Sequence, residues 1–405
     1  MTQQDNNSSV IASKTIFISF CLYFVIGILR ATNIDFPKWS AIAVLFQLIA
    51  LGLIMICVIL ETYRRKLKFN FFFFLCFAVG IINCLITKHT FMLGFSVLFF
   101  GFAIMESGYW QLSFNDLFLR FMIVLTTVFF IIFISSVIGI IDMGYSSREN
   151  ISRYNFGFQT ATLAPAIFFF ITLGFIYLYK ERTSWTFLLF AFSFAFFLYY
   201  ASDTRTGFFL TVCTISLCVA DKCLHLQNLF DRLCESGIFR FLVLAIPFFV
   251  LVFDALLVGY YSTFTPLAFK LNNLLSTRLS LTLNLIEKEG FSLFGKLIPG
   301  TVNGEYYQSD ICYFYYALNY GLLSLAIALY LEVRLLWKSL NERNMWIMLS
   351  TTFIILDGIF EPYLLDYKYQ IFAFMLAIDM LRKKNTSFQI CYYTIERSFT
   401  QPCIR

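Results

Sequence analysis

Long apolar runs broken by short polar turns dominate the chain. They lie near residues 15–30, 39–60, 69–87, 90–106, 117–141, 156–178, 184–201, 206–221, 239–259, 312–331, 344–360 and 367–381. A helix needs ~20 apolar residues to cross the hydrocarbon core of a bilayer, and these runs are apolar all round, as in helices set in lipid or deep in a bundle. The pattern predicts an all-α polytopic integral membrane protein with about 12 transmembrane helices, a single transmembrane domain over residues 1–405. The third and fourth runs are parted only by Lys88 and His89, the seventh and eighth only by Ser202 to Thr206. The polar start, Met1 to Ser13, lacks the basic n-region of a cleaved signal peptide, and none is expected.

Composition excludes the other classes. The chain is 60% hydrophobic and 13% charged, with a mean hydropathy of +0.76. A soluble chain is about 25% charged, so a soluble enzyme, a nucleic-acid binder and a disordered chain are ruled out. Cys21, Cys57, Cys76, Cys84, Cys213 and Cys218 lie within apolar runs and read as small buried hydrophobes, not as a disulfide framework. With only His89 and His225, far apart, no His/Cys metal site is expected and no cofactor is implied.

The few charges carry topology. With the N-terminus inside, the inner segments hold nineteen of the thirty Lys and Arg residues and the outer segments eleven. Four of those eleven (Lys270, Arg278, Lys288 and Lys296) fall in one long outer loop, whose charge counts for little in orientation. The bias therefore predicts a multi-pass protein with both termini cytoplasmic.

That long loop, residues 260–311, stands apart, because loops beyond about 12–15 residues usually fold or carry function. Within it Lys270 to Glu289 reads as one amphipathic helix stopped by Gly290. With Leu271 at zero on a helical wheel, Leu274, Leu275, Leu279, Leu281, Leu285 and Ile286 fall within about 80° of it. Arg278 lies at about −20°, inside the apolar stripe, with Thr282 beside it. A charge there needs a partner. Either it snorkels to lipid phosphates, or the helix packs on the bundle and Arg278 points into an anion site, where a planar guanidinium suits bidentate phosphate contacts.

Arg148, Arg153 and Arg205 are further arginines on the outer side, and together with Arg278 they point to an anion presented from the outer leaflet. Outer carboxylates include Asp203, Glu287, Glu289, Glu305, Asp310, Glu361 and Asp366. No Asp-x-Asp occurs, so a bound diphosphate would rely on arginines where other enzymes use a metal.

Three motifs in order resemble those of a known family. Arg153-Tyr-Asn-Phe-Gly157-Phe158 is similar to the Arg…Gly-Phe signature of Wzy-type O-antigen and capsular polysaccharide repeat-unit polymerases. Ser202-Asp-Thr-Arg205-Thr-Gly207 resembles their short Ser-Arg-Thr turn. Asp310-Ile-Cys-Tyr313 followed by Tyr320-Gly321 resembles the Asp-x-x-Tyr…Gly pattern that closes their large periplasmic loop. Members often place His-Pro-Asn soon after Gly-Phe, whereas here Gln159-Thr160-Ala161 follows.

The resemblance implies a GT-C-type glycosyltransferase plan and a substrate linked to undecaprenyl diphosphate. It implies metal-independent transfer of the growing glycan to a lipid-linked repeat unit, at the periplasmic face of the bacterial inner membrane. Under it, Arg153, Arg205 and Arg278 hold the diphosphate, with Arg278 also catalytic. Asp310 or Glu305 is the candidate base, although either could simply cap a helix. Tyr306 and Tyr313 are candidates to contact the acceptor sugar, although interfacial belts use tyrosine too. The lipid bilayer is a partner, a chain-length regulator protein is a further partner to expect, and nucleic acid is not. An O-antigen ligase, which relies on a periplasmic-loop histidine that this long loop lacks, is the rival enzyme. A lipid-linked oligosaccharide flippase or another transporter is the rival outside enzymes.

Overall fold

A computed structural model describes residues 3–34, 39–107, 113–148, 151–302, 305–362, 366, 369 and 371–382. Among them, seven helices are long and apolar enough to cross a membrane: α1 (Gln3–Leu29), α2 (Trp39–Arg65), α5 (Phe114–Val137), α6 (Leu163–Tyr179), α7 (Trp185–Ser202), α8 (Arg205–Leu224) and α10 (Gly237–Tyr261). Shorter apolar helices are α3 (Phe71–Thr87), α4 (Phe91–Ser107) and α15 (Met345–Asp357). Helix α14 (Leu322–Asn341) is long but carries Glu332, Arg334 and Lys338. The chain is thus an all-α membrane protein.

Local chemistry sets the helix starts. Ser113 and Asp116 form a reciprocal capping box for α5. The Ser184, Ser236 and Asn344 side chains accept from the third residue of α7, α10 and α15. A short helix, α9 (Leu226–Leu233), lies between α8 and α10.

The connections gather at two ends. At one, the end assigned outside by the charge bias, Asn33 donates its backbone N–H to Gly157 O at 2.8 Å. The Asn83 side chain donates to Phe294 O at 2.9 Å and to Tyr320 O at 3.1 Å. At the other end, strand β1 (Lys68–Phe69) pairs with β6 (Leu381–Arg382), and Trp346 Nε1 donates to Asp221 at 3.0 Å. These contacts group the segments they join at the two ends of the bundle.

The expected span at 367–381 is the clearest correction. Its described residues form no α-helix, only short 3₁₀ turns at Phe372–Leu376 and Ile378–Met380, while the chain returns from the outer end to the β1 pairing. Fifteen residues of α-helix would reach only about 22 Å, short of the ~30 Å core. Irregular backbone at membrane depth is tolerated when protein encloses it. Here Phe374, fully buried, meets the rings of Phe20, Phe95, Phe99 and Phe102.

A second correction concerns the amphipathic helix. It is two helices, α11 (Pro266–Leu274) and α12 (Arg278–Glu289), broken at Ser276 and Thr277, both with positive φ. Buried Asn272 makes the break. Its carbonyl accepts from Thr277 N at 2.8 Å, and its side chain accepts from Ser280 N at 3.0 Å. Gly290, with φ 63, ends α12 as expected. The loop then forms a hairpin of β4 (Thr301–Val302) with β5 (Glu305–Tyr306) before α13 (Cys312–Asn319). A small core of its own, Ala268, Leu279 and Ile311, seats the loop on Val258 and Tyr261 of α10.

Candidate functional site

The apolar face of α12 lies on protein, and Arg278 goes with it. Leu279 and Leu285 are buried, and the Thr282 hydroxyl bonds that of Ser309 at 2.8 Å, fixing α12 against the segment that carries Asp310. The Arg278 side chain is 14% exposed. Its Nη2 donates to Glu361 Oε1 at 2.9 Å, and its Nε lies 3.5 Å from Asp310 Oδ2. This is a buried pair with a second carboxylate at its rim, not an arginine reaching out to lipid.

Glu361 follows the end of α15 by one turn, and its backbone N–H donates to Asp357 O at 2.9 Å. Burial pushes its carboxyl up to about 7, against the pull of Arg278, while Asp310 adds to the rise. The Arg153 guanidinium and the Thr162 hydroxyl, ahead of α6, act on Glu361 in the opposite sense. Asp357 is 1% exposed, and neither of its carboxylate oxygens has a hydrogen-bond partner among the described residues.

Arg153 reaches the same corner from strand β3 (Ile151–Tyr154), which pairs with β2 (Tyr145–Arg148). Its Nε donates to Ser202 O at 2.6 Å and its Nη2 to Thr204 Oγ1 at 3.1 Å, tying the hairpin to the α7–α8 turn. Thr204 in turn donates to Ala161 O at 3.2 Å. Arg205 is the first residue of α8 and is exposed, with no partner among the described residues. Gly207 lets α8 approach α6, since a Cβ there would sit 2.9 Å from Pro165 Cβ.

The structure therefore gathers Arg278, Asp310 and Arg153, and anchors Arg153 to the turn that carries Arg205. Tyr313 stands elsewhere. Its hydroxyl donates to Glu332 of α14 at 2.8 Å and its ring is 2% exposed, so it presents no open face to a sugar. The reason is that a buried tyrosine hydroxyl needs an acceptor, and Glu332 supplies it. Glu305 and Tyr306 have side chains that lie outside the described residues. Sequence reasoning gave no role to Glu361, Asp357 or Thr162. The available signal was the pair of acids four residues apart at the end of an apolar run. His89 packs edge-on to Tyr320 at 5.9 Å, and burial holds its imidazole below the ordinary range.

Chemically, the cluster offers a guanidinium poised between two carboxylates, one of them near neutrality, with a second arginine adjacent. Such a set can orient an anion and exchange a proton. Comparison with protein-family models, with curated proteins and with solved structures finds no match.

Proposed function

We propose that the protein polymerises undecaprenyl-diphosphate-linked oligosaccharide repeat units into O-antigen or capsular polysaccharide. The reaction is a metal-independent glycosyl transfer at the periplasmic face of the bacterial inner membrane. One observation carries the reading: a loop helix delivers Arg278 onto the outer end of the bundle, beside Asp310, Glu361 and Arg153. The Arg153, Arg205 and Asp310 motifs resemble the polymerase set, and they lie at that same end.

In this mechanism the acceptor hydroxyl attacks the anomeric carbon of the growing chain. The new C–O bond forms as the bond to the diphosphate breaks, and the electron pair leaves with the diphosphate. The acceptor's proton passes to a carboxylate of the cluster. Asp310, at 24% side-chain exposure, is the more accessible one, and Glu361, at 6%, backs it through Arg278. Arg205 and Arg278 stabilise the charge that develops on the leaving group.

Deleting the gene in its host and resolving the surface glycan on a gel tests this. Loss of a polymerase leaves a single repeat unit on the acceptor lipid. Loss of a ligase leaves none, and loss of a flippase blocks both. A normal polymer ladder in the deletion strain overturns the reading.

A further inference from the structure

We propose that a diphosphate and the Glu361 carboxylate compete for the Arg278 guanidinium, so that binding the diphosphate loads a proton onto Glu361. The inference rests on the function proposed above, because it takes the anion at this site to be a diphosphate.

The geometry makes Arg278 a shared group. A guanidinium has five N–H donors. Arg278 makes one hydrogen bond to Glu361, while its buried Nε has no hydrogen-bond partner among the described residues. That Nε already faces Asp310 across 3.5 Å, so a second anion on this guanidinium competes with the carboxylates around it. The carboxylates are crowded. Asp357, Glu361 and Asp310 surround Arg278, and the nearby Arg153 already donates to Ser202 and Thr204.

Glu361 is faced by Arg278 from α12, Asp310 ahead of α13, Arg153 from β3, Thr162 ahead of α6 and Asp357 at the end of α15. A diphosphate that drew Arg278 away would leave this buried carboxylate beside Asp357 without its nearest cation. A buried carboxylate in that position takes up a proton rather than stay charged. Its carboxyl, already raised to about 7 by burial, lies close enough to neutrality for a modest loss of pairing to tip it. The Thr162 hydroxyl beside it can rotate to accept from the protonated acid.

The test is calorimetric and needs no turnover. Full-length protein in detergent is titrated with inorganic pyrophosphate at pH 8, in two buffers of different ionisation enthalpy. The wild type should take up about one more proton per pyrophosphate bound than Glu361→Gln does; the comparison removes the ligand's own protonation. As a second measurement, wild-type affinity should fall between pH 7 and 9 by up to about tenfold per pH unit more than that of Glu361→Gln. Binding with equal proton uptake in both proteins overturns the competition and leaves the glycosyl-transfer reading intact. If the wild type binds no pyrophosphate, the competition also falls, and the glycan gel alone then decides the reading beneath it.

Discussion

Arg278 and Glu361 are 83 residues apart in the chain and 2.9 Å apart in the fold. Their pairing joins the 260–311 loop to the end of α15, and it explains why a cation lies on the apolar face of α12. Removing one partner of a buried pair leaves the other uncompensated, which costs about 3–5 kcal/mol where the survivor cannot neutralise. Glu361 can neutralise by taking a proton.

Arg278→Ala should therefore fold and reach the membrane, yet lose long glycan chains. Arg278→Lys, which keeps charge but not the planar fork, should fall between it and the wild type. Lys288→Ala, an exposed neighbour on α12, should leave the ladder unchanged. The check is the glycan ladder at matched protein levels. Full-length chains from Arg278→Ala would remove Arg278 from the chemistry.

The raised Glu361 carboxyl fixes the sign of a pH effect. Its value in the fold, about 7, exceeds its ordinary 4.5. Its contribution to stability is then fully present below 4.5 and is lost as pH rises through about 7. In detergent, the melting temperature of the wild type relative to Glu361→Gln should decline from about pH 5 to pH 8. A flat difference would mean the carboxyl is not raised.

What the sequence made legible follows from physics that acts locally. Apolar runs locate most helices to within a few residues, because hydrophobicity and capping residues such as Ser113 and Ser184 are written at each position. The Arg278 anomaly was legible for the same reason, since a wheel needs only spacing. The pairing with Glu361 was not legible, because nothing local says which of the outer carboxylates a distant arginine meets. The irregular return through Phe374 was hidden too. Its composition is that of a span, and only the length left to the chain and the rings around it decide against a helix.

That return makes a stability prediction. Phe374→Ala removes a fully buried ring from contact with Phe20, Phe95, Phe99 and Phe102. A truncation of this kind costs about 3–5 kcal/mol. Phe241→Ala, at a side chain 68% exposed on α10, should cost far less. Thermal unfolding in detergent should rank Phe374→Ala well below Phe241→Ala; equal losses would mean the enclosed path is wrong.

Gly207→Ala tests the junction that carries Arg205. The new Cβ would lie 2.9 Å from Pro165 Cβ and 3.0 Å from its backbone carbonyl, so α6 and α8 must part. Gly237→Ala is the control, since a Cβ there meets nothing within 4 Å, and Ala favours a helix over Gly by about 1 kcal/mol. Gly207→Ala should lower both stability and chain length, while Gly237→Ala should lower neither. Unfolding temperatures and glycan gels on both variants check this.

The break between α11 and α12 is the device that aims Arg278, and Asn272 holds it. At 4% exposure, Asn272 accepts from Ser280 N at 3.0 Å and donates to Ser280 Oγ at 3.2 Å, so Ser276 and Thr277 keep their left-handed turn. Without those bonds the local sequence prefers one continuous amphipathic helix, because its leucines already share a stripe across the break. Asn272→Leu widens that stripe and removes both side-chain bonds together. It should straighten the segment and carry Arg278 away from Glu361. Spin labels at exposed Lys270 and Lys288 would report the change, since a straight helix separates these positions by about 27 Å and a broken one by less. If the labels move to the longer distance while the glycan keeps its full length, the position of Arg278 does not matter to the reaction. If they move apart and the chains shorten as in Arg278→Ala, the break positions Arg278 for the reaction.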